Sequence, residues 1–274
     1  MQFLGEISKI PIFYMACFLI SIFFILGSVI YYIRNIFVKE SQFDDSNVLI
    51  GRLGKLVFPL FAFFMASVAI MIVTKKNEIE HALQAETESV VDVISTGSFL
   101  PFDVQEKIHH NLKEYLLIVK NKEWKNLEYG KILYEGQFYI THTLKDLYTY
   151  VDSNPHSLHM VQNIIKPLEK LNDARRERCE ISLKKVHPYM WCVLFINSII
   201  SLFIFIFFIN RNVSGQFLGV FLISVPFGLI FSLLIAFNNP FIGSLSLSTS
   251  IIEDAIKSID TILNENRNSY SYSK

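Results

Sequence analysis

Residues 56–73 read LVFPLFAFFMASVAIMIV, and residues 74–95 continue as TKKNEIEHALQAETESVVDVIS. The first part holds about 18 residues without a charge, which at roughly 1.5 Å per residue just crosses the hydrocarbon core of a bilayer. Thr74-Lys75-Lys76 closes the span, and no Pro or Gly follows until Gly97 and Pro101. One long helix is therefore expected to carry the chain from lipid into water. A movement of its outer half would be felt in its membrane half.

Working outward, three more apolar runs qualify as spans. The first, Ile10 to Ile33, is longer than a signal-peptide core and lacks a small-x-small cleavage site, so it reads as a retained span. Pro11 sits near its start, where a missing N–H costs least. Tyr31, Tyr32 and Arg34 mark its far end as interfacial residues. Lys39 to Lys55 reads as a polar connection, and Pro59 lies one turn inside span two. Span three is Tyr189 to Ile209, opening on Tyr189 and Trp191; Asn210-Arg211-Asn212 then forces an antiparallel hairpin with span four, Val213 to Phe237. Pro226-Phe227-Gly228 predicts a kink or local opening within span four. A content of 51% hydrophobic residues with only 18% charged points the same way, since it exceeds what a water-soluble domain carries.

Between Thr74 and Val186 lies the sizeable polar region, and its apolar positions recur at helical spacing. A helix is expected from Phe102-Asp103, with Asp103 as cap, Glu106 three residues on, and Val104, Ile108, Leu112, Tyr115, Leu116 and Val119 on one face. Gly130 and Gly136 bracket a short middle piece; a third helix runs over about 137–151. A fourth follows Pro155 through Val161, Ile164, Ile165, Leu168 and Leu171, bends at Pro167 and continues as NDARRERCEISLKK to span three. Beyond span four come a serine-rich connector, a short amphipathic helix (Ile251 to Leu263) and a polar tail expected to be disordered. The expected class is all-α: a polytopic membrane protein with four transmembrane helices and a helical cytosolic subdomain between spans two and three. Its parts are an N-terminal membrane pair (1–74), the subdomain (75–186), a transmembrane hairpin (187–240), and the helix and tail (241–274). Lys9, Lys75, Lys76, Arg175, Arg176, Arg178, Lys184 and Lys185 flank the spans on the subdomain side, against Arg34, Lys39, Arg52, Lys55 and Arg211 opposite. That excess places the subdomain and both termini in the cytoplasm, at an inner (plasma) membrane.

No phosphate loop, nucleophile elbow, dinucleotide fingerprint or HExxH is present, so neither an enzyme nor a cofactor is expected. Cys17, Cys179 and Cys192 form no CxxC pair and read as structural thiols. His109-His110 and His156-x-x-His159 lack a third ligand, so they read as surface histidines and no metal is expected. Zero formal net charge gives no reason to expect nucleic acid as a partner. On the extension of span two, Glu86, Glu88 and Asp92 either form a solvated helix face or pair with neighbours; Arg175, Arg176 and Arg178 either answer them or hold lipid headgroups. They are the candidate charge-pair or gating residues. No Asp, Glu, Lys, Arg or His interrupts the spans, which argues against a proton relay or charge-coupled transporter. A passive pore gated at an apolar constriction is compatible, with Phe58, Phe61, Phe63, Phe64 and Met65 as candidate lining against the alternative that they pack helices or touch lipid.

Several stretches together resemble the bestrophin-like domain family of bacterial membrane proteins. These are PLFAFFMASVAIMIVTKKNEIEHALQAETESVVDVISTGSFLP, then EKIHHNLKEYL, then NDARRERCEIS ahead of span three, and NNPFIGSLSLSTSIIEDAI after span four. The resemblance runs over most of residues 50–260. It implies four spans per subunit, cytosolic termini, and a homo-oligomeric ring conducting inorganic anions through a neck built by the second span. It also singles out the corner after span four, Asn239, Pro240, Phe241 and Gly243. The sequence departs from the pattern at Asn238-Asn239, where a charged residue is expected. It departs again after Phe241, where Ile-Gly-Ser stands in place of the acids with which bestrophins hold calcium. The leading expectation is thus an oligomeric ion channel, anion-selective, with a cytosolic gating subdomain. Its rival is a non-conducting membrane-anchored scaffold or stress sensor that binds a cytosolic partner.

Overall fold

The computed structural model describes residues 11–37, 43–184, 186–208, 213–242 and 246–272, and among these no strand occurs. The order is α1 (Ile12–Phe37), α2 (Phe43–Gly97), α3 (Phe102–Ile118), a π turn (Val119–Glu123), α4 (Trp124–Glu128), α5 (Glu135–Ser153), a 3-10 turn (Pro155–Ser157), α6 (Leu158–Leu183), α7 (Pro188–Phe208), α8 (Val213–Asn238) and α9 (Ser250–Tyr272). The protein is all-helical, and among the described residues four helices (in α1, α2, α7 and α8) are long and apolar enough to cross a membrane. The turn expected at 210–212 lies outside the described residues.

Helix α2 is 55 residues long and runs through Pro59 to Gly97 without a break. At about 1.5 Å per residue its contour is roughly 80 Å, far more than the hydrocarbon core needs. Of the expected polar connection over 39–55, residues 39–42 lie outside the described residues, and from Phe43 onward the chain is already helix. Gly51 and Gly54 weaken a helix by about 1 kcal/mol each, but Val48, Leu49, Ile50 and Leu53 recur around them and no Pro stops the turn. Helices α6 and α8 likewise continue through Pro167 and Pro226.

The chain divides into two compact units. One comprises Met1–Thr74 and Lys185–Ser246, the other Lys75–Lys184 and Leu247–Lys274. In the first, α1 lies along α8. Phe23 meets Phe227 and Phe231 with ring centroids 5.5 and 5.3 Å apart, and Phe61 meets Phe227 at 5.1 Å. The core collects Met15, Leu19, Met65, Val68, Ile72, Trp191, Leu194 and Leu234 around these rings. Trp191 packs into this core, whereas Tyr189 is exposed and stacks on His187. Arg34 is buried, and its Nη1 donates to the Ile206 carbonyl at 2.8 Å. Many Phe, Ile and Leu side chains of α1, α2, α7 and α8 point outward. An apolar exterior of that extent needs lipid or another subunit against it.

In the second unit, α3 packs along α5 and α9, and α5 along α6. Asp103 does not cap α3: Pro101 holds the cap position, its carbonyl receives the Val104 and Gln105 amides, and no side chain caps the end. Asp103 sits in the first turn, where its charge still faces the positive end of the helix. The Gln105 amide instead secures the turn by donating to the carbonyls of Ser98 and Leu100 at 2.8 and 2.6 Å. Gly130 ends α4 with φ of 70°, a conformation costly for any residue with a Cβ. The expected disordered tail is also corrected, because α9 continues to Tyr272. Its polar end finds partners on α3, which composition alone does not reveal.

Candidate functional site

Three helices of the polar unit each place a charge where their pattern calls for an apolar residue. On α2 the buried face runs Ile79, Leu83, Glu86, Val90, Val93; on α6 it runs Val161, Ile164, Leu168, Leu171, Arg175, Arg178. On α3 and the π turn it runs Leu112, Tyr115, Val119, Glu123. The spacings of three and four put each set on one side of its helix.

These groups meet in one buried cluster. Arg178 Nε donates to Glu86 Oε2 at 2.5 Å, and its Nη2 to Glu86 Oε1 at 3.0 Å and Glu123 Oε2 at 3.3 Å. Arg175 Nη2 donates to Glu123 Oε1 at 3.0 Å and to the Leu133 carbonyl at 2.7 Å, and its Nη1 to Gln137 Oε1 at 3.2 Å. The Tyr115 hydroxyl donates to Glu86 Oε1, and the Cys179 thiol to Glu123 Oε1 at 3.4 Å. Gly136 makes room: a Cβ there would stand 3.2 Å from the Tyr115 ring and 3.4 Å from Arg175 Nε.

Two carboxylates balance two guanidiniums, so the cluster is neutral as a whole. Burial alone would lower the Arg178 pKa, but Glu86 and Glu123 outweigh it and hold the side chain charged. Burial, reinforced by Glu86, pushes Tyr115 well above the usual phenol value and keeps its proton on the hydroxyl. Burial also raises the Cys179 thiol to about 12, so it is an unreactive thiol rather than a nucleophile. The arrangement has no reacting centre. It ties α2, α6 and the π turn together through charges that cannot separate without exposing one another.

The candidate gating residues thus divide. Glu86, Arg175 and Arg178 come together, while Glu88, Asp92 and Arg176 are exposed on other faces. Glu123, Tyr115, Gln137 and Cys179 were not anticipated as members. The signal for Glu123 was available: an acid four residues after Val119 on a face otherwise apolar.

A second set joins α9 to α3. Asp260 accepts from His109 Nε2 at 2.9 Å and from Lys113 Nζ at 2.8 Å. Asn266 donates to Gln105 at 3.0 Å, Arg267 to Glu106 at 2.8 Å, and Lys120 pairs with Glu253 at 2.9 Å. His109 is therefore no surface histidine. Its pKa is lowered by burial, with Lys113 and His110 adding to that and Asp260 opposing it. His156 and His159 are exposed.

In the membrane unit the five candidate lining residues do not share a face. Phe61 and Met65 are 7% and 4% exposed and belong to the chain's own core; Phe58, on the same side, is half-buried. Phe63 is 67% exposed and Phe64 42%. Eight consecutive positions make two helical turns, so such a list wraps around the helix. The outward stripe is Leu56, Leu60, Phe63, Ser67, Ile70. At the corner after α8, the Asn239 side-chain oxygen accepts the Phe241 amide at 3.2 Å, and Pro240 and Phe241 are buried. Gly243 lies outside the described residues. Among the described residues, no three His, Cys, Asp or Glu side chains gather as a metal site.

The model of the bestrophin-like domain matches residues 21–252, most of the chain. The protein belongs to the bestrophin-like family. The fold is similar to that of a crystal structure of a bacterial bestrophin homologue from Klebsiella pneumoniae carrying a point mutation. The TM-score is 0.72 at 12% identity, over 89% of this chain and 99% of that one. Among curated proteins, none matches by sequence.

Proposed function

We propose that this protein is the subunit of a homo-oligomeric ion channel of the plasma membrane, conducting inorganic anions. The observation that carries the reading is the outer stripe of α2, in which Leu56, Leu60, Phe63, Ser67 and Ile70 bear no charge and stand exposed outside the chain's own core. Membership of the bestrophin-like family and the likeness to a bacterial bestrophin homologue support it. Copies arranged about an axis would present this stripe as an apolar neck, which gates by excluding water. Phe63 is then the aromatic lining side chain, in place of the buried Phe61 and Met65. The polar unit lies in the cytoplasm, and the uninterrupted α2, common to both units, links its movements to the neck.

The rival scaffold reading draws on the exposed aromatic face of α5, with Tyr134 just ahead of it and Phe138 and Tyr148 on it. Mass measurement in detergent and recording in planar bilayers separate the two. The channel reading expects an oligomer and a conductance whose reversal potential follows the chloride gradient, enlarged by Phe63→Ala. A monomer, or silence in every salt, removes it and leaves the scaffold. A current that reverses at the cation potential keeps the pore and rejects the anion assignment.

A further inference from the structure

We propose that the outer half of α9, from Asp260 to Asn268, is a strap that closes over α3 through the His109–Asp260 contact and lifts when His109 takes up a proton. The two halves of α9 are held differently. The inner half buries Ile252, Ala255 and Ile259 completely or nearly so. In the outer half Leu263 is the buried apolar side chain and Ile262 is half-buried; Asp260, Asn266 and Arg267 make polar contacts with α3, and the Arg267 guanidinium also lies over the Phe102 ring at 5.6 Å. The Arg267–Glu106 pair is more than half exposed and the Lys113–Asp260 pair about one third. Such pairs add little against solvent. Beneath this half, Ile94, Gly97, Gln105, Ile108, Leu263 and Asn266 line a small recess.

At the centre of this seam lies His109, a buried imidazole, the side-chain type whose charge changes near neutral pH. From α9 it faces Asp260; on α3 its charged neighbours are Lys113 and His110. On the side of α5, His142 and Asp146 are engaged with Asn111. Asp260 already receives Lys113 on both oxygens, so a second cation beside it brings limited gain. With the strap closed, burial holds the His109 pKa below 6.5. With the strap lifted, the imidazole meets water and returns to its ordinary value. A proton therefore binds the open state better, and opening grows as pH falls through about 6.5. Each unit of difference between the two states is about a tenfold change in opening. Nothing in this requires that the protein conduct ions.

The experiment is amide hydrogen exchange by mass spectrometry on the full-length protein in detergent, corrected for the intrinsic pH dependence of exchange. Between pH 7.5 and 5.5, exchange in 260–268 is expected to rise several-fold while that in 250–259 does not. His109→Gln, a neutral donor at every pH, is expected to flatten the response; His109→Asn replaces it if that variant does not fold. A flat or slowing wild-type profile overturns the proposal, as does opening of both halves together. A folded His109 variant that keeps the wild-type response overturns it equally.

Discussion

Replacing Arg178 by Met removes one guanidinium from a cluster in which Arg178, Glu86 and Glu123 are fully closed to water. Glu86 and Glu123 then face Arg175 alone, and one negative charge is left buried without an answer. Breaking a buried pair in this way costs about 3–5 kcal/mol. Glu86→Leu leaves the opposite imbalance at a similar cost. In the double variant the remaining Glu123 and Arg175 neutralise each other, 3.0 Å apart. What is then lost is mainly the acceptor of the Tyr115 hydroxyl, about 1–3 kcal/mol. A chain of this size loses roughly 2–4 °C of melting temperature per kcal/mol. Each single variant should therefore melt roughly 6–20 °C below the wild type, and the double variant only roughly 2–12 °C below it. Thermal unfolding of the full-length protein in detergent, followed by circular dichroism and by intrinsic fluorescence, measures this. Losses that simply add, or singles that melt within about 2 °C of the wild type, would refute the view that charge balance holds these helices together.

Two further outcomes follow from the same structure. Cys179 rises from an ordinary 9.0 to about 12 on folding, so its contribution is intact below pH 9 and lost as pH climbs towards 12, because the unfolded thiol ionises first. Melting temperature should fall across that window by about 1.4 kcal/mol of stability per pH unit, and Cys179→Ala should postpone the fall until Tyr115 begins to contribute. In the membrane unit, a Cβ on Gly228 would stand 2.6 and 2.7 Å from the backbone of Ile20, so Gly228→Ala must push α1 and α8 apart. The expected loss is about 1–3 kcal/mol. Gly97→Ala meets nothing within 4 Å and should be neutral or mildly stabilising by the same melting assay; equal effects at both sites would contradict the close approach.

The residues by themselves settled a good deal. An uncharged run from Leu56 to Val73, followed by more than twenty residues without Pro or Gly, can do little other than form one helix that leaves a membrane, and α2 is that helix. Apolar spacing of three and four also marked the buried faces of α3 and α6, because it reflects a helix's own geometry. What spacing does not contain is the partner across the gap. Glu86, Glu123, Arg175 and Arg178 all stand in apolar register, yet only packing shows that they neutralise one another while Glu88, Asp92 and Arg176 remain in water. The same holds for Phe61 and Phe63, two positions apart, one inside the core and one outside it. It holds also for the polar end of α9, helical because Gln105 and Glu106 lie opposite it. Local pattern chooses a helix and its inward side; which charge a buried charge meets depends on residues up to 161 positions away, and that is decided only when the chain closes.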